Sequence, residues 1–131
     1  MAISLLSYAK ADIHTAWSAL NESGNQSKNR KALKGIAAYH AQQAIEKIIK
    51  SEIYGVDPNV NPKKLYTHKI HDLCNIAAEY GIAVPKEITK NAGMYTDWET
   101  GGRYDLHFSV RADSVEKALI LAQDWIKNMK G

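Results

Sequence analysis

The chain has 131 residues, 45% of them apolar and 24% charged, which is the make-up of a folded domain and excludes a disordered segment. Seventeen Lys and Arg against fourteen Asp and Glu leave a formal charge of +3, which permits an anionic partner without requiring one. No run of about twenty apolar residues exists to span a bilayer, the start MAISLLSYAKADIH lacks the flank and cleavage site of a secretory signal, and the one cysteine, Cys74, cannot close an internal disulfide. A single domain over 1–131, cytoplasmic and without membrane association, is expected.

The three prolines, Pro58, Pro62 and Pro85, all lie mid-chain, which leaves both long ends free to be helical. Ile3, Leu6, Ala9 or Ala11, Ile13, Ala16, Trp17 and Leu20 form one stripe at helical spacing, and Gly24 is the expected stop. SGNQSKN (23–29) reads as a connection. From Arg30 to Tyr54, Leu33, Ile36, Ala37, Ala41, Ala44, Ile45, Ile48, Ile49 and Ile53 repeat every three or four positions, and Gly55 ends the pattern.

GVDPNVNPKKLY (55–66) reads as an irregular loop. A third helix is expected after Thr67, with Ile70, Leu73, Cys74, Ala77 and Ala78 inward and Gly81 as its end. A fourth is expected from Pro85 towards Trp98, because Gly101-Gly102 makes continuation costly by about 1 kcal/mol per glycine. The last helix is expected to open at Asp113-Ser-Val-Glu116, a capping-box-like pattern, and to bury Val115, Ala118, Leu119, Ala122, Trp125, Ile126 and Met129. With no sustained alternation of apolar and polar residues, the expected fold class is all-α, a four- to five-helix antiparallel bundle.

The segment that departs most from bundle logic is 95–108, which gathers Tyr95, Trp98, Tyr104 and Phe108 with Arg103, Asp105, His107 and two glycines. A neutral imidazole can take the proton from a ribose hydroxyl or protonate a leaving oxygen, a role worth about 10²–10⁴ in rate. A guanidinium offers a planar fork of donors to phosphate oxygens, and aromatic rings can stack on bases. The competing reading pairs Arg103 with Asp105 or Glu99 and uses the rings to seal the bundle end.

Other clusters favour structural roles. His68, His71 and Cys74 fan too widely around a helix for a tetrahedral zinc site, and Cys74 falls on the buried stripe. No metal and no cofactor is expected. Lys28, Arg30, Lys31 and Lys34 make a basic run at a helix start, where positive charge opposes the helix dipole. Lys63, Lys64 and Lys69 make a second basic group, and either run could touch phosphate. His40, on the apolar stripe of the long helix, reads as a hydrogen-bonded core histidine.

The stretch Ala38-Tyr-His-Ala-Gln-Gln-Ala-Ile-Glu-Lys-Ile-Ile-Lys50 resembles the signature helix of HEPN domains, with a Gln-Gln-Ala-x-Glu-Lys core at 42–47. Thr67-His-Lys-Ile-His-Asp-Leu73 is similar to the family segment that leads into the third helix. Arg103-Tyr-Asp105 resembles an Arg-Tyr-Pro-Asp element without its proline, and 113–130 resembles the final helix. The resemblance spans residues 3–130. It implies a helical bundle that pairs as a symmetric dimer, in prokaryotic cytoplasm, often encoded beside a minimal nucleotidyltransferase in toxin–antitoxin systems. Active members are metal-independent endoribonucleases with an Arg followed, after four to six residues, by a His; other members bind nucleotides or are non-catalytic.

Carried onto this sequence, Arg103 matches the motif arginine and His107 is the candidate for its histidine. Only Tyr104, Asp105 and Leu106 separate them, one residue short of the pattern, and Ser109 stands where one toxin branch carries a tyrosine that its antitoxin nucleotidylates. The short spacing favours binding over cleavage. The expected function is therefore nucleotide or RNA binding, as a homodimer, with Arg103, Tyr104, Trp98 and Asp105 at the ligand and a minimal nucleotidyltransferase as a possible partner. The alternatives are an endoribonuclease toxin using Arg103 and His107, and a non-catalytic protein-interaction partner.

Overall fold

The computed structural model describes the backbone of residues 2–25, 28–104 and 109–129, with side chains from residue 5 onwards except at 100 and 102–104. The described residues form six α-helices and one 3₁₀ turn: α1 Ala2–Asn25, α2 Arg30–Val56, the turn Pro62–Leu65, α3 Ile70–Glu79, α4 Lys86–Lys90, α5 Ala92–Tyr104 and α6 Ala112–Asn128. No strand occurs among them, and no described helix is long and apolar enough to cross a membrane. The all-α class expected from periodicity is the class observed.

The central element is α2. Its buried positions include Ala37, Ala38, Ala41, Ala44, Ile45, Ile48, Ile49 and Ile53, which cover more than one stripe because α1, α3, α5 and α6 all pack against it. The buried residues of α1 are Ala9, Ile13, Ala16, Ala19, Leu20 and Ser23, and its apolar ones share one core with Ala37, Ala38, Ala41 and Ala44 of α2. Further along, each isoleucine withdrawn from water contributes roughly 1.5–3 kcal/mol of transfer free energy. One cluster joins these side chains to Leu73, Ile88, Trp98, Val115 and Leu119.

The helix ends follow local chemistry. Asn61 caps the 3₁₀ turn by accepting from the Lys63 N–H at 3.0 Å, with Pro62 in the first position, where no N–H is needed. Thr67 Oγ1 accepts from the Lys69 N–H at 3.1 Å just ahead of α3. At the other end of α3, Gly81 takes φ 75° while Gly81 N donates to Ala78 O and Ile82 N to Ala77 O, both at 3.0 Å. That is a Schellman ending, and only glycine enters it without strain.

Ala78, expected inward, is exposed, and three expectations of helix bounds and caps need correction. The predicted fourth helix from Pro85 to Trp98 is two helices. Asn91, at φ −106° and ψ 17°, separates them while its side-chain amide donates to Glu87 O at 2.9 Å; an Asn that bonds locally competes with the helix ladder. Second, α5 does not stop ahead of Gly101-Gly102 but runs through both to Tyr104. Burial of Tyr95, Trp98 and Glu99 in the preceding turns anchors the helix against the glycine cost. Third, Asp113 is not the cap of α6. Arg111 holds that position without a side-chain cap bond, and Asp113 in the first turn accepts from Arg111 Nε at 3.1 Å and Nη2 at 3.2 Å.

Candidate functional site

Of the residues singled out around the end of α5, Arg103 and Tyr104 occupy its last two positions as backbone; Asp105 and His107 lie outside the described residues. By helix register, position 103 falls one turn beyond Glu99 and two beyond Thr96 on one stripe.

Trp98 is a different matter. It is only 2% exposed and meets Tyr95 edge-on, with ring centroids 5.2 Å apart. The indole offers no open face for a base in this chain. It belongs to the core stripe of α5, because positions 95 and 98 are the ones this helix turns inward.

The polar chemistry that the fold brings together most completely lies on α2, in the Gln-Gln-Ala-x-Glu-Lys stretch. Glu46 Oε1 accepts from Gln42 Nε2 and pairs with His68 Nδ1, both at 3.1 Å, while Oε2 accepts from Lys50 Nζ at 2.8 Å. Gln42, itself fully buried, also donates to the His68 carbonyl at 3.4 Å and accepts from Gln43 Nε2 at 2.7 Å. The Ile70 N–H then donates to Thr96 Oγ1 at 2.9 Å. The 68–70 segment is thereby stitched to α2 on one side and α5 on the other. Burial pushes the Glu46 carboxyl up, but hydrogen bonds from Lys50, His68 and Gln42, with the Lys50 charge, outweigh that and hold it below the ordinary carboxylate range.

A second set crosses from α1. Asp12 Oδ1 pairs with His40 Nδ1 at 2.9 Å and Asp12 Oδ2 accepts from Lys47 Nζ at 2.6 Å; Lys47 also reaches Gln43 Oε1 at 3.3 Å. His40 is hydrogen-bonded as expected, to a carboxylate of the neighbouring helix, but it is half-buried rather than a core residue. Neither Asp12 nor the Glu46–His68 pair stood out in the sequence, because the partners are 28, 35 and 22 residues apart. The one available signal was Gln42, Glu46 and Lys50 recurring every four positions along the helix.

The remaining clusters take ordinary places. His71 is exposed and lies 3.3 Å from the Asn75 amide, and Cys74 is buried, with desolvation pushing its thiol pKa up. Among the described residues no group of three His, Cys, Asp or Glu side chains could hold a metal ion. Arg30, in the basic run, donates from Nε to Ser23 O at 3.1 Å. This contact sets Arg30, at the start of α2, beside the carbonyl end of α1, whose partial negative charge it complements.

The HEPN domain family model matches residues 4–130 of this chain. No curated protein and no solved structure gives a significant match. The match covers nearly the whole chain and agrees with an all-helical architecture built around the Gln-Gln-Ala-x-Glu-Lys helix. The chain therefore belongs to the HEPN domain family.

Proposed function

We propose that this HEPN domain binds a nucleotide or RNA as a homodimer, with Arg103 holding phosphate and Tyr104 and Asp105 beside it. The observation that carries the reading is family membership over residues 4–130; the resemblance of Arg103-Tyr-Asp105 to the family's Arg-Tyr-Pro-Asp element supports assigning the phosphate contact to Arg103. The net charge of +3 is compatible with an anionic ligand. His107 is the acid/base group if the bound RNA is also cleaved, and the three-residue separation from Arg103 favours binding without cleavage. A minimal nucleotidyltransferase is the partner class that family membership suggests.

Two assays test the reading. In a thermal-shift panel of mono-, di- and trinucleotides, a ligand at 100 times its Kd should stabilise the protein by about 2.7 kcal/mol. A flat panel, together with no RNA retention at low salt, overturns binding and leaves the protein-interaction alternative. RNA incubated with the protein in EDTA should stay intact; fragments that His107→Ala abolishes would establish the endoribonuclease instead.

A further inference from the structure

A groove of about 380 Å³ lies between α1 and α6, well away in sequence from the α5 terminus. Its apolar lining comes from Ile13, Trp17 and Ile126, and its exposed basic lining from Lys10, His14 and Lys127. The spacing explains the gathering: 10, 13, 14 and 17 fall on one face of α1, and 123, 126 and 127 on one face of α6. Gln123 completes the wall and accepts the Trp17 indole N–H at 3.1 Å, which sets the orientation of the ring.

The lining contains no carboxylate. Lys10, His14 and Lys127 make no ion pair or hydrogen bond among the described residues. Elsewhere cations meet acids: Lys47 with Asp12, Lys50 with Glu46, Lys64 with Glu79. The volume is at the lower end of small-ligand sites, about 300–1,000 Å³. An oriented indole with two other apolar side chains suits a flat apolar body, and the uncompensated basic groups suit one negative charge on it.

We propose that this groove binds a small aromatic anion, a ring bearing a carboxylate or a phosphate. A second copy of the chain fits less well, since a two-fold contact through this face would set each lysine cluster against its own copy. The site is independent of Arg103 and of RNA.

The test is NMR of the indole N–H signals of the three tryptophans, with the Trp17 signal assigned by Trp17→Phe. The probes are 2-naphthoate, phenyl phosphate and the neutral 2-naphthylmethanol. One or both anions should shift the Trp17 signal saturably and leave those of the buried Trp98 and Trp125 in place; which anion does so assigns carboxylate or phosphate. The Lys10→Gln/Lys127→Gln double variant should weaken that binding by about tenfold or more, the loss of a charge-assisted contact. No saturable shift with either anion, equal binding of the neutral probe, or a double variant that binds as well as wild type would each overturn the proposal.

Discussion

His68 Nδ1 stands 3.1 Å from Oε1 of Glu46, and the two residues are opposite in exposure: the imidazole is 63% exposed and the carboxylate 7%. The carboxylate is therefore the fixed member, held from α2, and the histidine is the surface group docked onto it. Through this pair the chain entering α3 is tied to the central helix. The pair is first a structural device, because Gln42 and Lys50 converge on the same two oxygens.

Glu46→Ala should lower stability by about 2 kcal/mol, below the 3–5 kcal/mol of a fully buried broken pair, because His68 and Lys50 can turn to water. His68→Ala should cost less than about 1 kcal/mol, since it is mostly exposed. Urea midpoints at constant m-value measure both. A larger loss at His68 than at Glu46 would reverse the assignment of anchor and docked group.

The same carboxyl sets a pH dependence. Its folded-state pKa lies below the ordinary 4.5, so its contribution is fully present above that value and is lost as pH falls through the lowered folded pKa. Urea unfolding from about pH 6 down to about pH 3 should show stability declining through this window. Glu46→Gln should flatten that decline relative to wild type. An unchanged slope in the variant would mean other carboxylates govern the acid limb.

Glycine substitutions should have opposite signs in two places. Gly93 is the second residue of α5, where an added Cβ meets nothing within 4 Å, so Gly93→Ala should stabilise, by less than the roughly 1 kcal/mol of a helix interior. Gly81, at φ 75°, also has open space, yet Gly81→Ala should destabilise by about 1 kcal/mol because an L side chain strains that backbone. Thermal midpoints decide it, and equal signs would contradict the placement of one of the two glycines.

Trp98 separates packing from ligand stacking. Trp98→Ala should cost about 3–5 kcal/mol, as for a large core aromatic. Trp98→Phe should keep the fold and leave RNA affinity unchanged within twofold. An order-of-magnitude affinity loss in a folded Trp98→Phe protein would return the indole to the ligand site.

Much of this was legible in the sequence wherever the information is local. The repeat from Leu33 to Ile53 locates the central helix, and Gly81 marks the end of α3 because a left-handed residue is needed there. What escaped depends on tertiary context. Asn91 breaks a helix by a side-chain bond that no apolar spacing encodes. Gly101-Gly102 stays helical because the turns ahead of it are buried, and Asp113 forgoes capping because Arg111 takes its carboxylate. For the candidate site, Arg103 and His107 came from resemblance, Trp98 fell on the core stripe, and the Glu46–His68 pair could emerge only when a loop folded back over α2.

The most direct test of the central claim is fluorescence anisotropy of a labelled single-stranded RNA titrated with wild type and with Arg103→Ala at low salt, thermal midpoints being checked in parallel. Binding should be saturable for wild type and weakened about tenfold or more in the variant, the loss of a charged contact to phosphate, with the midpoint retained. Equal affinity in two equally stable proteins would contradict the assignment of the phosphate contact to Arg103.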